Sequence, residues 1–328
     1  MTNPPLFPPS DRSDHGGGID AAAKRFGGAR RDWIDLSTGI NPQPYPLGDI
    51  EPEAWTALPD HTARTRLETA ARRFWHVPAD AGVLAAPGAS ALIALMPLLA
   101  PAGRVRIATP TYNEHARAFA AAGWQLVKGA ADAQIMVHPN NPDGRLWSAQ
   151  EAKAALVVID ESFCDVTPKL SLIAAATRPG VVVLKSFGKF WGLAGLRLGF
   201  AIGDPALLDR LAALLGPWPV SGPALAVGRL ALDDLGWAEI TRSRLAVDAQ
   251  RLDALCATRG AVPIGGTTLF RLYDVADAQD WQGRLAQHRI WTRIFPYSTR
   301  WLRLGLPGGA TDWARLETAV SDLPPEAP

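Results

Sequence analysis

The sequence has few cysteines and almost no net charge, and both shortages narrow the classes of protein it can encode. Its two cysteines, Cys164 and Cys256, are too few for a disulfide framework and lack the spacing of metal ligands. We therefore expect a reducing compartment and no metal site. The 33 basic and 32 acidic residues leave a formal net charge of +1, which provides no electrostatic attraction for nucleic acid or an anionic membrane.

The patterns of a signal peptide and of a membrane anchor are also missing. The segment MTNPPLFPPS at the start is polar and rich in proline, and no uninterrupted apolar run reaches membrane-spanning length. With 328 residues, 48% of them hydrophobic, the chain can bury more core than one domain usually holds. We therefore expect a cytoplasmic enzyme with no membrane and no nucleic-acid partner.

What the sequence does contain is a regular alternation of strand and helix patterns. Apolar runs at 82–88, 104–110 and 154–160 predict strands, and helical spacing follows at 89–100 and 113–122. Strands that are apolar on both faces and alternate with helices predict the α/β class, with a mostly parallel, doubly wound sheet.

The composition also predicts how the chain divides into domains. We predict a flexible arm at 1–14, a segment at 15–46 that contributes to a small domain and to the substrate site, a large domain at 47–221 and a small α+β domain at 222–328. The last boundary rests on GPWPVSGP, which is rich in proline and glycine. One long amphipathic helix, roughly 222–258, is predicted to open the small domain, which also carries a short antiparallel sheet.

The stretch VVVLKSFGKFWGLAGLRLGFAIG, residues 181–203, holds the first candidate for chemistry. Lys189 follows a buried strand and lies in a turn of small residues. A lysine there can have its ammonium desolvated, which favours the nucleophilic amine that forms a Schiff base with a carbonyl cofactor. The alternative for Lys189 alone is a solvated loop lysine.

Other polar or aromatic groups follow neighbouring strands, and ligands of open α/β sheets bind at the carboxyl ends of strands. A helix start at Gly88 offers amides and a hydroxyl to an anion, although many helices begin this way. The alternatives are a core or surface tyrosine for Tyr112, an ordinary turn for Asn141 and a helix-capping aspartate for Asp160. The candidates in chain order are Ala89, Ser90, Tyr112, Asn141, Asp160, Ser186 and Lys189.

Four motifs in this order resemble the fold-type I pyridoxal-phosphate enzymes of the class I/II aminotransferase family. They are PNNPDG, VVIDES, SFGKFWGLAGLRLG and WLRLGLP, and the resemblance extends over residues 82–310. It implies a large domain with a mostly parallel doubly wound sheet, a small α+β domain, a pyridoxal 5'-phosphate cofactor and a homodimer.

The resemblance also implies roles for individual residues. Lys189 would form the Schiff base and move protons, and Asp160 would pair with the pyridine nitrogen, so these two are the catalytic candidates. Asn141 would bind the ring hydroxyl and Tyr112 would stack on the ring. Arg303 would bind the substrate carboxylate, with a solvated strand residue as the alternative. The phosphate of the cofactor would be held by Ala89, Ser90, Ser186 and Arg197.

The N-terminal segments HGGGIDAAAKRFGG and DLSTGINPQPYP are similar to those of threonine-phosphate decarboxylases of cobalamin biosynthesis. That similarity implies decarboxylation of L-threonine O-phosphate to (R)-1-amino-2-propanol O-phosphate. It makes Ser13, His15 and Gly16 candidates for the substrate phosphate and Asn41 a further substrate contact. A glycine-rich turn is the alternative for the HGGG segment.

Two departures from related families bear on the choice of reaction. Leu58 stands where histidinol-phosphate aminotransferases carry a tyrosine that reaches the neighbouring subunit's cofactor, and Phe163 stands where many relatives have a tyrosine. An aminotransferase of that type is the second hypothesis, and a non-catalytic pyridoxal-phosphate-binding protein is the third. The sequence leaves decarboxylation and transamination both open, because it does not fix the orientation of the substrate carboxylate.

Overall fold

The computed structural model describes residues 15–324, so the predicted arm at 1–14 and the candidate Ser13 lie outside the described residues. Contacts divide the chain into two units. Among the described residues, the large unit comprises 43–246 and 266–269, and the small unit comprises 15–42, 247–265 and 270–324. None of the helices between residues 15 and 324 combines the length and apolar character needed to cross a membrane.

Strands β1–β13 and helices α1–α10 follow one another in chain order through the described residues. The strands are β1 (Ile34–Asp35), β2 (Gly82–Ala86), β3 (Arg104–Ile107), β4 (Gln125–Val127), β5 (Ala133–Val137), β6 (Leu156–Asp160), β7 (Val181–Ser186), β8 (Gly199–Gly203), β9 (Val262–Thr267), β10 (Phe270–Asp274), β11 (Ile290–Trp291), β12 (Arg293–Phe295) and β13 (Ser298–Gly305). The helices are α1 (Ile19–Phe26), α2 (Glu53–Thr56), α3 (His61–Phe74), α4 (Ala89–Leu95), α5 (Asn113–Ala121), α6 (Pro205–Leu215), α7 (Gly222–Asp233), α8 (Leu235–Ala257), α9 (Ala278–Gln287) and α10 (Ala310–Ser321).

The large unit is built on a seven-stranded sheet in the order β2-β8-β7-β6-β5-β3-β4. The five strands from β7 to β4 in this order run parallel, and β8 pairs antiparallel with β7 and β2. Every residue of β5, β6 and β8 is buried, which explains why these strands are continuous apolar runs. The predicted α/β class with a mostly parallel sheet is confirmed.

The sheet register brings the candidate segments to one edge. Asp160 ends β6 and is aligned with Val137 at the end of β5 and with Leu184 near the end of β7. Because parallel strands end on the same side of a sheet, the turns after β5, β6 and β7 emerge side by side.

The small unit contains a four-stranded sheet, in the order β12-β13-β10-β9, and a two-stranded parallel sheet of β1 and β11. Strand β13 pairs antiparallel with both β10 and β12. The N-terminal segment joins this unit through β1 and through α1, because Ile19 and Ala22 of α1 pack with Trp33 and Ala286.

The prediction of a single helix over 222–258 is wrong, because the segment forms two helices separated at Asp234. The Asp234 carboxylate accepts a hydrogen bond of 2.9 Å from the Trp237 amide, so it caps the start of α8. Residues 222–246 group with the large unit, in which Gly228 of α7 lies against Leu67 of α3. The domain boundaries expected at 46/47 and 221/222 stay a prediction.

Candidate active site

One pocket in the large unit lies where the turns after β5, β6 and β7 emerge. Its walls also include Ser162 and Phe163, which follow Asp160. The structure brings together every residue proposed from the sequence to hold the cofactor, although the role of each stays a prediction. These residues are Ala89, Ser90, Tyr112, Asn141, Asp160, Ser186, Lys189 and Arg197.

Lys189 lies half-buried in the turn after β7. The Gly188 amide donates to Ser186 Oγ at 3.2 Å, which stabilises this turn, and the Gly192 amide donates to the Lys189 carbonyl at 3.1 Å. Lys189 Nζ lies 5.3 Å from the centre of the Phe163 ring. The side chain therefore belongs to the pocket wall, and the alternative of a solvated loop lysine does not fit.

Asp160 is 2% exposed and its carboxylate is held on both oxygens. Oδ2 is 2.8 Å from His115 Nε2, and Oδ1 accepts hydrogen bonds from the Ser162 amide at 3.0 Å and the Ser162 hydroxyl at 2.6 Å. Burial alone would raise the pKa of Asp160, but the hydrogen bonds from His115 and Ser162 hold that pKa below its ordinary value. No helix follows at 161–163, so the alternative of a helix cap is wrong.

His115 is the functional neighbour that sequence reasoning missed. It lies on α5, is fully buried, and its ring meets the Tyr112 ring edge-on at 6.2 Å between centres. Its Nδ1 has no hydrogen-bond partner among the described residues, so Asp160 accepts the hydrogen bond that orients the ring. The available signal was its position three residues after Tyr112, on the helix that this tyrosine precedes.

The turns that carry Tyr112 and Asn141 are joined by a second residue that the sequence did not indicate, Asn140. Its side-chain oxygen accepts from Thr111 Oγ1 at 2.5 Å, and its Nδ2 donates to the Pro110 carbonyl at 3.0 Å. These bonds fix the two turns against each other. Burial is the main cause that raises the pKa of Tyr112 to about 12, so the phenol stays neutral.

An anion cradle lies at the start of α4. Gly88 precedes this helix with φ +89, a conformation that favours glycine, and a Cβ there would lie 2.6 Å from Arg197 Nη2. Arg197 itself has left-handed backbone angles, φ 53 and ψ 52, and its Nη1 donates to the Ala194 carbonyl at 2.9 Å. The exposed helix amides, this guanidinium and the hydroxyl of Ser90 together suit a phosphate.

In the small unit, Arg303 of β13 is 5% exposed, so the alternative of a solvated strand residue is wrong. Its Nη2 donates to the Ser37 carbonyl at 2.6 Å, and its guanidinium lies 5.1 Å from the centre of the Phe270 ring. Burial, with the nearby Arg293, lowers the pKa of Arg303 to about 10, so it remains a cation near neutral pH.

Ser37 also connects Arg303 to the HGGG segment. Its hydroxyl accepts from the Gly17 amide at 2.7 Å and donates to Asp35 Oδ1 at 2.6 Å. A Cβ at Gly16 would collide with the Ser37 carbonyl oxygen, so this close approach requires glycine. His15 is half-buried beside it, and Asn41 is buried in the same unit. Their roles stay predictions.

A buried group of His138, Glu161 and Cys164 has ligand atoms within 4.8 Å of one another, but each is otherwise engaged. His138 Nε2 donates to the Leu170 carbonyl at 2.7 Å, and its Nδ1 accepts from the Trp147 amide at 3.0 Å. Glu161 accepts from Lys185 at 2.6 Å, and burial raises the pKa of the Cys164 thiol. We propose no metal ion here.

Comparisons with known proteins agree on one family. The sequence profile for aminotransferase class I and II matches residues 32–322. A threonine-phosphate decarboxylase of Pseudomonas aeruginosa is 41% identical over 330 residues, which cover 94% of this chain and 97% of the relative. A histidinol-phosphate aminotransferase of Symbiobacterium thermophilum is 31% identical over 65% of this chain and 68% of its own. The solved histidinol-phosphate aminotransferase of Sinorhizobium meliloti, in complex with pyridoxal-5'-phosphate, shares the fold with a TM-score of 0.78 and 20% identity over 98% of both chains.

Proposed function

Because the chain belongs to the aminotransferase class I and II family, we propose that it is a pyridoxal-phosphate-dependent decarboxylase that converts L-threonine O-phosphate to (R)-1-amino-2-propanol O-phosphate. The observation that carries the proposal is the convergence of Lys189, Asp160 and Arg197 on one pocket. The choice of reaction is supported by the relative that is 41% identical over 94% of the chain.

The pocket residues fit pyridoxal phosphate by their chemistry. Lys189 offers an amine to an aldehyde, Asp160 offers an ionised carboxylate to a pyridinium N–H, and the cradle at Gly88 and Arg197 suits a dianionic phosphate. A Cβ at Gly88 would displace Arg197, so the cradle depends on that glycine. When bound, the cofactor supplies a covalent link to the substrate amine and an electron sink for the breaking bond.

The rest of the chemistry belongs to the chain's own residues. Asp160 would keep a proton on the pyridine nitrogen, because His115 and Ser162 hold its carboxylate in the ionised form. The Lys189 amine would carry the covalent link to the cofactor and would move a proton at the substrate α-carbon. Asn141 would bind the ring hydroxyl, and Tyr112 would lie against the ring.

Substrate selection is assigned to residues of the small unit. We propose that Arg303 binds the substrate carboxylate, where a planar cationic fork suits the anion. The substrate phosphate is assigned to Ser13, His15 and Gly16, with Asn41 as a further contact. The orientation in which Arg303 holds the substrate carboxylate would then select between decarboxylation and transamination.

The test is to incubate the protein and cofactor with L-threonine O-phosphate without any keto acid. Release of carbon dioxide together with the amino-alcohol phosphate supports the proposal. A second candidate, a histidinol-phosphate-type aminotransferase, is favoured by the relative that is 31% identical. Turnover that requires 2-oxoglutarate and produces glutamate would establish that candidate instead. If no turnover occurs with or without 2-oxoglutarate, a non-catalytic cofactor-binding protein is favoured.

We further propose a cytoplasmic homodimer, and a role in cobalamin biosynthesis that the similarity to a threonine-phosphate decarboxylase supports. The large unit exposes large apolar side chains in a manner that suits association. Trp55 and Leu58 near α2 are 67% and 68% exposed, and Trp218 before α7 is 58% exposed. Gly222 at the start of α7 lies against the Ala54 carbonyl, so these segments adjoin.

A further inference from the structure

Three charged side chains that the proposed reaction does not use are buried together in the large unit. Glu161, Asp165 and Lys185 are at most 3% exposed, and Lys185 Nζ lies 2.6 Å from Glu161 Oε2 and 3.6 Å from Asp165 Oδ1. Burial alone would lower the pKa of Lys185, but the two carboxylates raise it, so Lys185 is an ammonium. Apolar side chains of similar volume often stabilise a fold as well as a buried ion cluster does. Stability alone therefore does not require an ion cluster at this place.

The cluster connects the two segments that carry the catalytic candidates. Glu161 follows Asp160 directly, and Lys185 lies on β7, four residues before Lys189. Glu161 is fixed in turn by Ser171, whose hydroxyl donates to its Oε2 at 2.7 Å. The Lys185–Glu161 pair is thus a rigid bridge between the ends of β6 and β7.

A second bridge runs through the other carboxylate of the cluster. Asp165 Oδ2 accepts a hydrogen bond of 3.2 Å from the indole of Trp191, two residues after Lys189, and Oδ1 accepts one of 2.9 Å from Trp75. Trp191 is fully buried and its ring stacks on Phe187 at 5.1 Å between centres. The turn that carries Lys189 is therefore held at both of its ends.

We propose that Lys185 is a positioning residue, whose ammonium between Glu161 and Asp165 fixes the turn 186–191 and so sets the separation of Lys189 from Asp160. The inference rests on the proposed function for the identity of the catalytic pair, but it does not depend on which amino acid is the substrate. Displacement of a reacting group by 1 Å lowers rates by about 100-fold, so such a bridge has a direct kinetic consequence.

The experiment compares three variants of the full-length holoenzyme. Lys185→Met removes the charge but keeps the length, Lys185→Arg keeps the charge, and Lys185→Met with Glu161→Gln removes both members of the closest pair while Asp165 keeps its hydrogen bonds from Trp75 and Trp191. Gln134→Met is the matched control. Gln134 is a buried polar residue on β5 of the same sheet, it donates to the Glu151 carbonyl at 3.0 Å, and it does not line the pocket.

We expect Lys185→Met and the double variant to lower kcat per bound cofactor by about 10- to 100-fold, the size of effect that follows when a residue that orients a reacting group is lost. KM should change by less than about threefold. Lys185→Arg keeps the charge but not the shape of the ammonium, so it should lower kcat by less than Lys185→Met does. A second measurement, hydrogen exchange of the cofactor-free protein, follows the Phe187 and Leu193 amides, which donate at 3.1 Å to the Leu198 and Phe187 carbonyls. Their exchange should become at least about tenfold faster in Lys185→Met and unchanged in Gln134→Met.

A double variant that folds, exchanges slowly and keeps the original kcat would overturn the proposal and leave the cluster a folding element only. If Lys185→Met fails to fold, the double variant still decides between the two outcomes. Hydrogen exchange needs no substrate, so failure of the proposed decarboxylation would leave this measurement unaffected.

Discussion

Lys189 is the residue on which the proposed chemistry depends most directly. Its Nζ lies in a pocket with Asp160 and above the Phe163 ring, and no other lysine lines that pocket among the described residues. We expect Lys189→Ala to abolish the visible absorbance of the cofactor bond and to remove turnover. Absorbance spectroscopy of the purified protein with added cofactor makes the measurement. Lys153, which lies outside the pocket, provides the control variant Lys153→Ala, and an unchanged spectrum in Lys189→Ala would refute the site assignment.

The contact of His115 with Asp160 leads to a prediction about how the stability of the protein depends on pH. The pKa of Asp160 is below its ordinary value in the folded protein, so its ionised form contributes stability that is present above that ordinary value and is lost as the pH falls through the folded pKa. Replacement of His115 by phenylalanine removes a hydrogen-bond donor to the carboxylate. The pKa of Asp160 should therefore rise, so that less stability is lost on acidification and the loss is complete at a higher pH.

The measurement is the free energy of unfolding in urea as a function of pH, compared between His115→Phe and the unaltered chain. The control is Glu114→Gln, a neighbour on the same helix whose carboxylate pairs with Arg117 at 2.8 Å. An acid limb that moves equally in both variants would show that His115 does not tune Asp160.

At the scale of elements, the start of α4 is the part of the site most sensitive to a single methyl group. In Gly88→Ala, the new Cβ would lie 2.6 Å from Arg197 Nη2, and the backbone at φ 89 and ψ 155 adds a cost of about 1–3 kcal/mol. Arg197 must move away, so we expect affinity for pyridoxal phosphate to fall by about tenfold or more, measured by equilibrium titration of the absorbance.

Gly123→Ala separates the two causes. Gly123 has a similar φ of +83, yet the nearest atom to its new Cβ is 4.0 Å away. It should show the loss of stability without the loss of cofactor affinity. Equal affinities for Gly88→Ala and Gly123→Ala would mean that Arg197 does not form the cradle.

The elements were predicted well where one periodic signal dominates. Strands buried on both faces, such as β5 and β6, produce continuous apolar runs, and these led directly to the parallel sheet. The break at Asp234 was missed because an aspartate that caps a helix and an aspartate on a solvated helix face look alike in sequence. The distinction depends on the bond to the Trp237 amide, which only the folded chain shows.

The candidate site residues could also be predicted from the sequence, because each belongs to a short motif near the end of a strand. Asp160 ends β6, Lys189 and Asn141 lie in the turns after β7 and β5, and the sheet brings these strand ends together. Their supporting partners are not local: His115 lies 45 residues before Asp160, and Lys185 lies 24 residues after Glu161. Nothing in the sequence specifies which buried histidine or lysine is aligned with which carboxylate, because that alignment is set by helix and strand packing.

At the scale of the whole molecule, the open question is association of two copies. An exposed indole and an exposed leucine, Trp55 at 67% and Leu58 at 68%, are of the kind that stable interfaces bury. We expect the protein to sediment as a dimer at micromolar concentration. Trp55→Glu with Leu58→Glu should weaken association by at least about tenfold, because buried aromatic anchors contribute most of an interface's energy.

Val262→Glu is the control for this prediction, since Val262 is 56% exposed but lies on β9 in the small unit. A charge there should leave the sedimentation unchanged. Cofactor titration of the dissociated variant then tests a separate consequence of Leu58. Because Leu58 cannot supply the hydroxyl that a tyrosine would offer a neighbouring subunit's phosphate, the cradle at Gly88 and Arg197 must hold the cofactor phosphate within one chain. Affinity in the monomeric variant should therefore fall by less than about tenfold, and a complete loss of binding would show that another residue of the partner subunit completes the site.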